Sequence, residues 1–247
     1  MKKVDVHIHT FRSPCGKNEM LIDSIARKAT GLGLDYIGIS DHIHTDTRVR
    51  EQFEDTLREI RAVNPDIKIY MGCELDVIKP GESTINDYLR EHCDYIGVGA
   101  NHYFCPGVEL PPQNGTLREL AEHYVKMHKY AASMDDADFI THPFFVFGHH
   151  SLPISLTSEI DDDEIVEIIE TAKEHNTAFE LTPRMYIGDN RYFMSKFYFM
   201  CKELGAKFSV GTDSHELRTM DALPLLDNII RELNLTDDDM WYTAKFK

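Results

Sequence analysis

Histidines and carboxylates recur in this chain where a metal ion could be held. His7-Ile8-His9 comes first, at the end of a short apolar run that starts at Val4. Residues two apart on a strand point to the same face, so both imidazoles can grip one ion. A lone His-x-His pair is as easily a chance surface pair, because histidine is common in both settings. Six further apolar runs end the same way, however. Asp41-His42 follows Ile37 to Ser40, Glu74 follows Ile69 to Cys73, and Asn101-His102 follows Ile96 to Ala100. His142 follows Phe139 to Thr141, Glu180 ends Thr177 to Phe179, and Asp213-Ser214-His215 follows Phe208 to Thr212. Imidazole and carboxylate donors are the set suited to zinc, manganese or iron.

The elements that must position these groups read as βα units. Strands are expected over Val4 to His9, Tyr36 to Ser40, Lys68 to Gly72, Tyr95 to Ala100, Phe139 to Thr141, Ala178 to Leu181 and Phe208 to Val210. Helical patterns alternate with them over Leu21 to Thr30, Glu51 to Val63, Leu117 to Met134, Asp163 to His175, Met194 to Leu204 and Ala222 to Leu233. Lys79 to Leu89 reads as a loop with a short helix. Such alternation predicts an α/β barrel around a parallel sheet, with all strand C-terminal ends on one rim. The aromatics Tyr192, Phe193, Phe197, Tyr198 and Phe199 fall at helical spacing and read as core.

A length of 247 residues suits one α/β barrel, so residues 1–247 are expected to form a single domain. Lys and Arg total 26 against 42 Asp and Glu, a net charge of −16 that repels long nucleic acid and anionic membrane. The five cysteines, Cys15, Cys73, Cys93, Cys105 and Cys201, show no CxxC pair and no disulfide framework. A reducing, cytoplasmic setting is expected. No apolar run approaches a membrane span, and acidic and imidazole groups interrupt the N-terminus before any leader core forms.

Taken together, His7-x-His9-Thr10, Ser40-Asp41-His42, Gly72-Cys73-Glu74, Thr141-His142-Pro143 and Gly211-Thr212-Asp213-Ser214-His215 resemble the PHP (polymerase and histidinol phosphatase) family, in order and spacing, from Asp5 to about Ala222. The resemblance implies a distorted (β/α)7 barrel with a centre of two to three divalent ions. By the same resemblance, His7, His9, Glu74 and Asp213 would hold one ion. Glu74 would bridge to a second held by His102 and His142, and His42 and His215 would hold a third. The remaining ligand of the third ion, six residues after the second His of the first motif, falls on Cys15. A thiolate there is a good zinc or iron ligand, and we expect ligation; a free Cys15 thiol would leave that site weak. Glu180 is followed by Leu181-Thr182-Pro183 rather than the family's Asn-Thr, and it is not expected to be a ligand.

Three divalent ions bring more positive charge than Glu74, Asp213 and a Cys15 thiolate return. An electropositive site suits a phosphomonoester dianion. The expected reaction is hydrolysis of a small phosphorylated metabolite by a metal-bound water, with His7, His9, Glu74 and Asp213 at the catalytic centre. Arg184 is the best candidate for a phosphate clamp, because guanidinium presents a planar fork. Arg12, Arg191 and Lys79 read as ordinary surface charges. Asp5 and Asp41 are expected to orient ligand histidines through their second ring nitrogens. His149 and His150 read as loop groups, and His44, His92, His123, His128 and His175 as non-ligands. Competing readings are an amidohydrolase-like barrel, a nucleotide phosphatase or short-oligonucleotide exonuclease, and a non-catalytic metal-binding regulator. Glu74 after the third strand, with Asp-x-His after the seventh, argues against the first of these. The acidity argues against long polymers in the second.

Overall fold

Seven short, apolar segments pair side by side in a computed structural model that describes residues 1–63, 66–147 and 152–246. In chain order the strands are β1 (Val4–Ile8), β2 (Tyr36–Ile39), β3 (His42–Ile43), β4 (Lys68–Lys79), β5 (Glu82–Ser83), β6 (Tyr95–Gly99), β7 (Phe139–Ile140), β8 (Ala178–Leu181) and β9 (Phe208–Val210). The main path runs β1-β2-β4-β6-β7-β8-β9, and every pairing along it is parallel. A bridge from Ile8 to Ser214, with the His9 amide donating to the Ser214 carbonyl at 2.9 Å, brings the first strand against the end of the last. The result is a nearly closed barrel with helices outside, in agreement with the expected (β/α)7 architecture. Strands buried on both faces explain why the sequence reads as continuous apolar runs rather than alternation.

The helices are α1 (Ile22–Gly31), α2 (Val49–Val63), α3 (Asp87–His92), α4 (Leu117–Ala132), α5 (Asp162–Glu174), α6 (Asn190–Glu203), α7 (Leu223–Glu232) and α8 (Tyr242–Lys245). Capping boxes fix two starts, Thr116 with Glu119 on α4 and Asp161 with Glu164 on α5. Arg118 ties the two helices together by donating to Glu164 at 2.7 Å. On α6 the expected aromatic core is only partly realised. Phe193, Phe197 and Tyr198 are buried, whereas Tyr192 and Phe199 are 81% and 58% exposed because they fall on the opposite face of the helix. Among the described residues, no helix is long and apolar enough to cross a membrane.

The third expected strand was to stop at Gly72, yet β4 runs to Lys79. Beyond Gly72 it gains partners on both sides: β6 from Gly72↔Tyr95 to Asp76↔Gly99, and β3 through His42↔Glu74. Glu74 and Asp76 therefore lie within a strand, on one face of it. Tyr95 fills the barrel interior beneath them, its hydroxyl donating to the Val6 carbonyl at 2.8 Å. A Cβ at Gly72 would stand 2.3 Å from the Tyr95 ring, so only glycine leaves room for that ring. The far end is closed by a segment the sequence reading left unassigned: Trp241 packs edge-on to Phe139, and Phe246 stacks on Tyr70 at 3.8 Å.

Candidate metal centre

Six of the strand ends converge on one buried cluster. His7 and His9 project from the end of β1 with their Nε2 atoms 3.0 Å apart. Asp213, just past β9, places Oδ1 3.1 Å from His9 Nε2 and 3.6 Å from His7 Nε2. Glu74 lies across the middle. Its Oε2 stands 2.9 Å from His42 Nδ1 and 3.4 Å from His7 Nε2, and its Oε1 stands 3.0 Å from His142 Nε2 and 3.5 Å from His102 Nε2. His215 stacks on His9 at 4.1 Å. His7, His9, His42, Glu74, His102, His142 and Asp213 are all buried.

The local backbone is shaped to bring these groups in. His142 and Asp213 both have positive φ, +29° and +53°, a region few residues other than glycine enter. Strain of this kind persists only where surrounding contacts over-determine it, and it gathers at functional sites. At His142 those contacts are identifiable: its amide donates to Glu180 Oε2 at 2.6 Å, and Asn101 Nδ2 donates to its carbonyl at 3.2 Å. Gly211 lets Glu180 reach the centre, since a Cβ there would stand 2.1 Å from Glu180 Oε1 and 2.4 Å from His7 Cβ.

The electrostatics fit a divalent cation. Burial pushes the carboxyl groups of Glu74 and Asp213 upward, but neighbouring cations outweigh it. His7, His42 and His102 hold Glu74 well below the usual carboxylate range, and Arg184 and His7 do the same for Asp213. Burial, with His215 and His42 as neighbours, lowers His9 well below its ordinary value, and burial takes His142 down to about 4. His7 and His102 are the exceptions: burial pulls both down, but Glu180, Glu74 and Asp213 raise His7 well above its ordinary value, and Glu74 with Asp76 raises His102. The ionised carboxylates and the lowered His9 and His142 rings are in the protonation states that metal ligation requires, and a cation would displace the protons that the carboxylates draw onto His7 and His102. His42 Nδ1 and Glu74 Oε2 are moreover buried without a hydrogen bond, although they face each other. The paired Nε2 atoms of His7 and His9, and of His102 and His142 at 3.2 Å, can share at most one proton each. A cation between these atoms satisfies all of them.

Within this cluster the donors group in three overlapping sets, each within 4.8 Å: His7, His9 and Asp213; His42, Glu74 and His102; and His9, His42 and His215. Cys15 is in none of these sets. It is exposed, and its thiol is pushed up to about 12 by partial desolvation, with Glu74 and Asp213 adding to the effect. Arg184 stands at the rim with its Nε donating to Asp213 Oδ2 at 2.6 Å and its guanidinium 5.3 Å from the centre of the Phe147 ring. Arg12 pairs with Glu59 and Lys79 with Glu82, as ordinary surface charges do. His149 and His150 lie outside the described residues.

Two carboxylates do not act as expected. Asp5 accepts from the Thr212 amide and hydroxyl, at 3.0 and 2.5 Å, so it pins the turn that carries Asp213 instead of a histidine ring. Asp41 accepts from the Thr10 amide and hydroxyl and from Ser13 Oγ, and it is Ser13 Oγ that meets His9 Nδ1 at 3.0 Å. Its support of His9 is thus indirect. At both positions a short side chain reaches the adjacent backbone turn before any ring.

The carboxylates that do meet ring nitrogens are Glu180, 2.6 Å from His7 Nδ1, and Asp76, 2.8 Å from His102 Nδ1. Glu180, expected not to be a ligand, thus orients one, and Asp76 has the same role without having been expected in the site. Each carried a signal, Glu180 as the last residue of an apolar run and Asp76 as the same-face neighbour of Glu74. His128, no ligand, fixes the segment after His142. Its Nδ1 donates to the Tyr124 carbonyl at 2.8 Å while its Nε2 accepts the Phe144 amide at 2.9 Å.

A parallel α/β barrel with a buried His and carboxylate cluster at the C-terminal ends of its strands defines the class: barrel proteins whose rim carries donors suited to divalent metal. The chain belongs to the PHP domain family, whose pattern matches residues 5–182. It is 25% identical over 218 residues, 86% of this chain and 80% of the other, to a Syntrophotalea carbinolica protein named "Probable phosphatase". A Clostridium botulinum protein with the same description is 23% identical over 245 residues, covering 95% of this chain and 88% of its own. In fold, the chain is similar to the histidinol phosphate phosphatase of Lactococcus lactis, solved with zinc, L-histidinol and phosphate. The TM-score is 0.69 at 18% identity over 95% of both chains.

Proposed function

We propose that this PHP-domain protein is a metal-dependent phosphoesterase that hydrolyses a small phosphomonoester. The observation that carries the reading is the single buried cluster in which Glu74 faces His7, His42, His102 and His142 at once, with a guanidinium at its edge. His7, His9, Glu74 and Asp213 would hold one divalent ion and Glu74, His102 and His142 a second. A third would sit on His42 and His215; Cys15, exposed and outside the donor sets, would complete it once the turn at residues 13–16 moves inward. Zinc, manganese and iron all suit these donors. Bound ions of this kind lower the pKa of water from 15.7 toward about 7 and polarise phosphoryl oxygens.

The chain's own residues supply the rest. Glu180 and Asp76 fix the rings of His7 and His102, so that the opposite nitrogens face the centre. Arg184 commits Nε and one amino group to Asp213 Oδ2 and keeps further N–H donors for a phosphoryl oxygen. The Phe145 and Phe147 rings flank that guanidinium, their centres 5.6 and 5.3 Å from it, within cation–π reach. The net charge of −16 disfavours long nucleic acid and leaves a small metabolite as the substrate class. Cysteine usage supports a reducing, cytoplasmic setting. The ligands of the Lactococcus lactis structure make histidinol phosphate the first compound to assay.

The test is phosphate release from an aryl phosphate and a panel of phosphorylated metabolites, with protein loaded separately with zinc, manganese and iron. Turnover is expected with at least one metal and is lost in His9→Ala and Glu74→Ala. No release under any loading would reject the reading.

A further inference from the structure

A second donor cluster adjoins the centre without belonging to it. His44 follows β3, Asp76 lies within β4, and Cys105 is in the loop after β6. His44 Nδ1 is 2.6 Å from Asp76 Oδ2 and 3.4 Å from Cys105 Sγ, which is 3.8 Å from His44 Nε2. These separations are of the same order as those of His7, His9 and Asp213, 3.0 to 3.6 Å, in the main cluster. Asp76 is fully buried, Cys105 is 5% exposed and the His44 side chain 9%. The Thr45 hydroxyl donates to the Pro106 carbonyl at 3.2 Å, which ties the two loops together beside the cluster.

The chemistry of this trio differs from that of its neighbour. It offers one imidazole, one carboxylate and one thiol, so a divalent ion would be charge-balanced by Asp76 and a Cys105 thiolate, and a soft donor selects for thiophilic metals. Three protein ligands leave the fourth position of a tetrahedral ion for water. Burial and the nearby carboxylates disfavour a bare thiolate at Cys105, and a cation removes that penalty. Asp76 spends its other oxygen on His102 Nδ1, so the trio shares a side chain with a candidate ligand of the main centre.

We propose that His44, Asp76 and Cys105 form an additional divalent-cation site, selective for a thiophilic ion such as zinc and linked through Asp76 to His102. The probe is cobalt(II), titrated into metal-free Cys15→Ser protein so that Cys105 is the candidate thiol ligand. Bound equivalents are counted by elemental analysis, and a thiolate-to-cobalt charge-transfer band is followed in the near ultraviolet. The band is expected in Cys15→Ser, and it is lost, together with one bound equivalent, in the Cys15→Ser, Cys105→Ser double variant. His44→Ala in the same background should also bind one equivalent fewer, which keeps the test decisive if the Cys105 variant misfolds. Absence of the band in Cys15→Ser would overturn the proposal, as would an unchanged number of equivalents when Cys105 or His44 is removed.

Discussion

His128 offers the sharpest quantitative test of how the fold supports the centre. Its ring is fully buried, donates to the Tyr124 carbonyl, accepts the Phe144 amide, and lies flat on the Phe144 ring at 4.1 Å. Phe144 itself has φ +58° and follows His142 by two residues, so this imidazole helps hold the strained turn that presents His142. Accepting a hydrogen bond at Nε2 requires the neutral ring, and burial pushes His128 from 6.5 down to about 3. Because the folded pKa lies below the unfolded one, the unfolded chain binds the proton first as pH falls. The stability is therefore complete above about pH 6.5 and is lost progressively between there and about pH 3. At 1.36 kcal/mol per pH unit, moving from pH 7 to pH 5 should cost the wild type about 2 kcal/mol through this group. His128→Phe removes the titration and orphans the Phe144 amide, at a cost of about 1–3 kcal/mol at pH 7. Urea unfolding of metal-free wild type and variant at both pH values gives the answer. Their stability difference should shrink by about 2 kcal/mol at pH 5. A difference that stays constant would refute the neutral, amide-accepting role of His128.

Three further outcomes follow from the same geometry. Glu180→Gln keeps the shape but weakens the hold on His7 Nδ1, and metal affinity measured by competition with a chelator should fall about 10–100-fold; unchanged affinity would show that Glu180 does not orient a ligand. Arg184→Lys retains the charge and loses the fork, so KM should rise about tenfold, the equivalent of 1.4 kcal/mol, with metal content unaltered. An unchanged KM would remove Arg184 from phosphate binding. Gly72→Ala forces a methyl against the Tyr95 ring and should destabilise the barrel by about 1–3 kcal/mol in a denaturant melt, whereas a neutral result would mean that the ring moves freely.

Much of this arrangement was legible before any coordinates. Strands buried on both faces must be continuous apolar runs, and a rim of polar chemistry must begin where those runs stop, so His7, His9, His42, His102, His142 and Asp213 stood out by position. What stayed hidden depends on partners distant in sequence. β4 continues past Gly72 only because β3 and β6 flank it, and that continuation puts Asp76 beside Glu74 and under His102. His44 and Cys105 are unremarkable one at a time and meet because two loops are tied together at Thr45 and Pro106. Asp5 in β1 and Asp41 between β2 and β3 reach a neighbouring turn sooner than an imidazole, a distinction that spacing does not encode. The C-terminal Trp241 to Phe246 segment closes the barrel floor through aromatic contacts with strands more than a hundred residues earlier, and no local pattern announces it.

If the Glu74 cluster is a metal centre that hydrolyses phosphoesters, turnover must follow metal loading, and a metal titration of activity measures this. Metal-free protein is reconstituted with increasing equivalents of zinc, manganese or iron, and phosphate release is measured at each step. We predict no turnover without metal and a rise that continues to at least two equivalents. Turnover independent of added metal, or none at saturation with any of the three, would contradict the account.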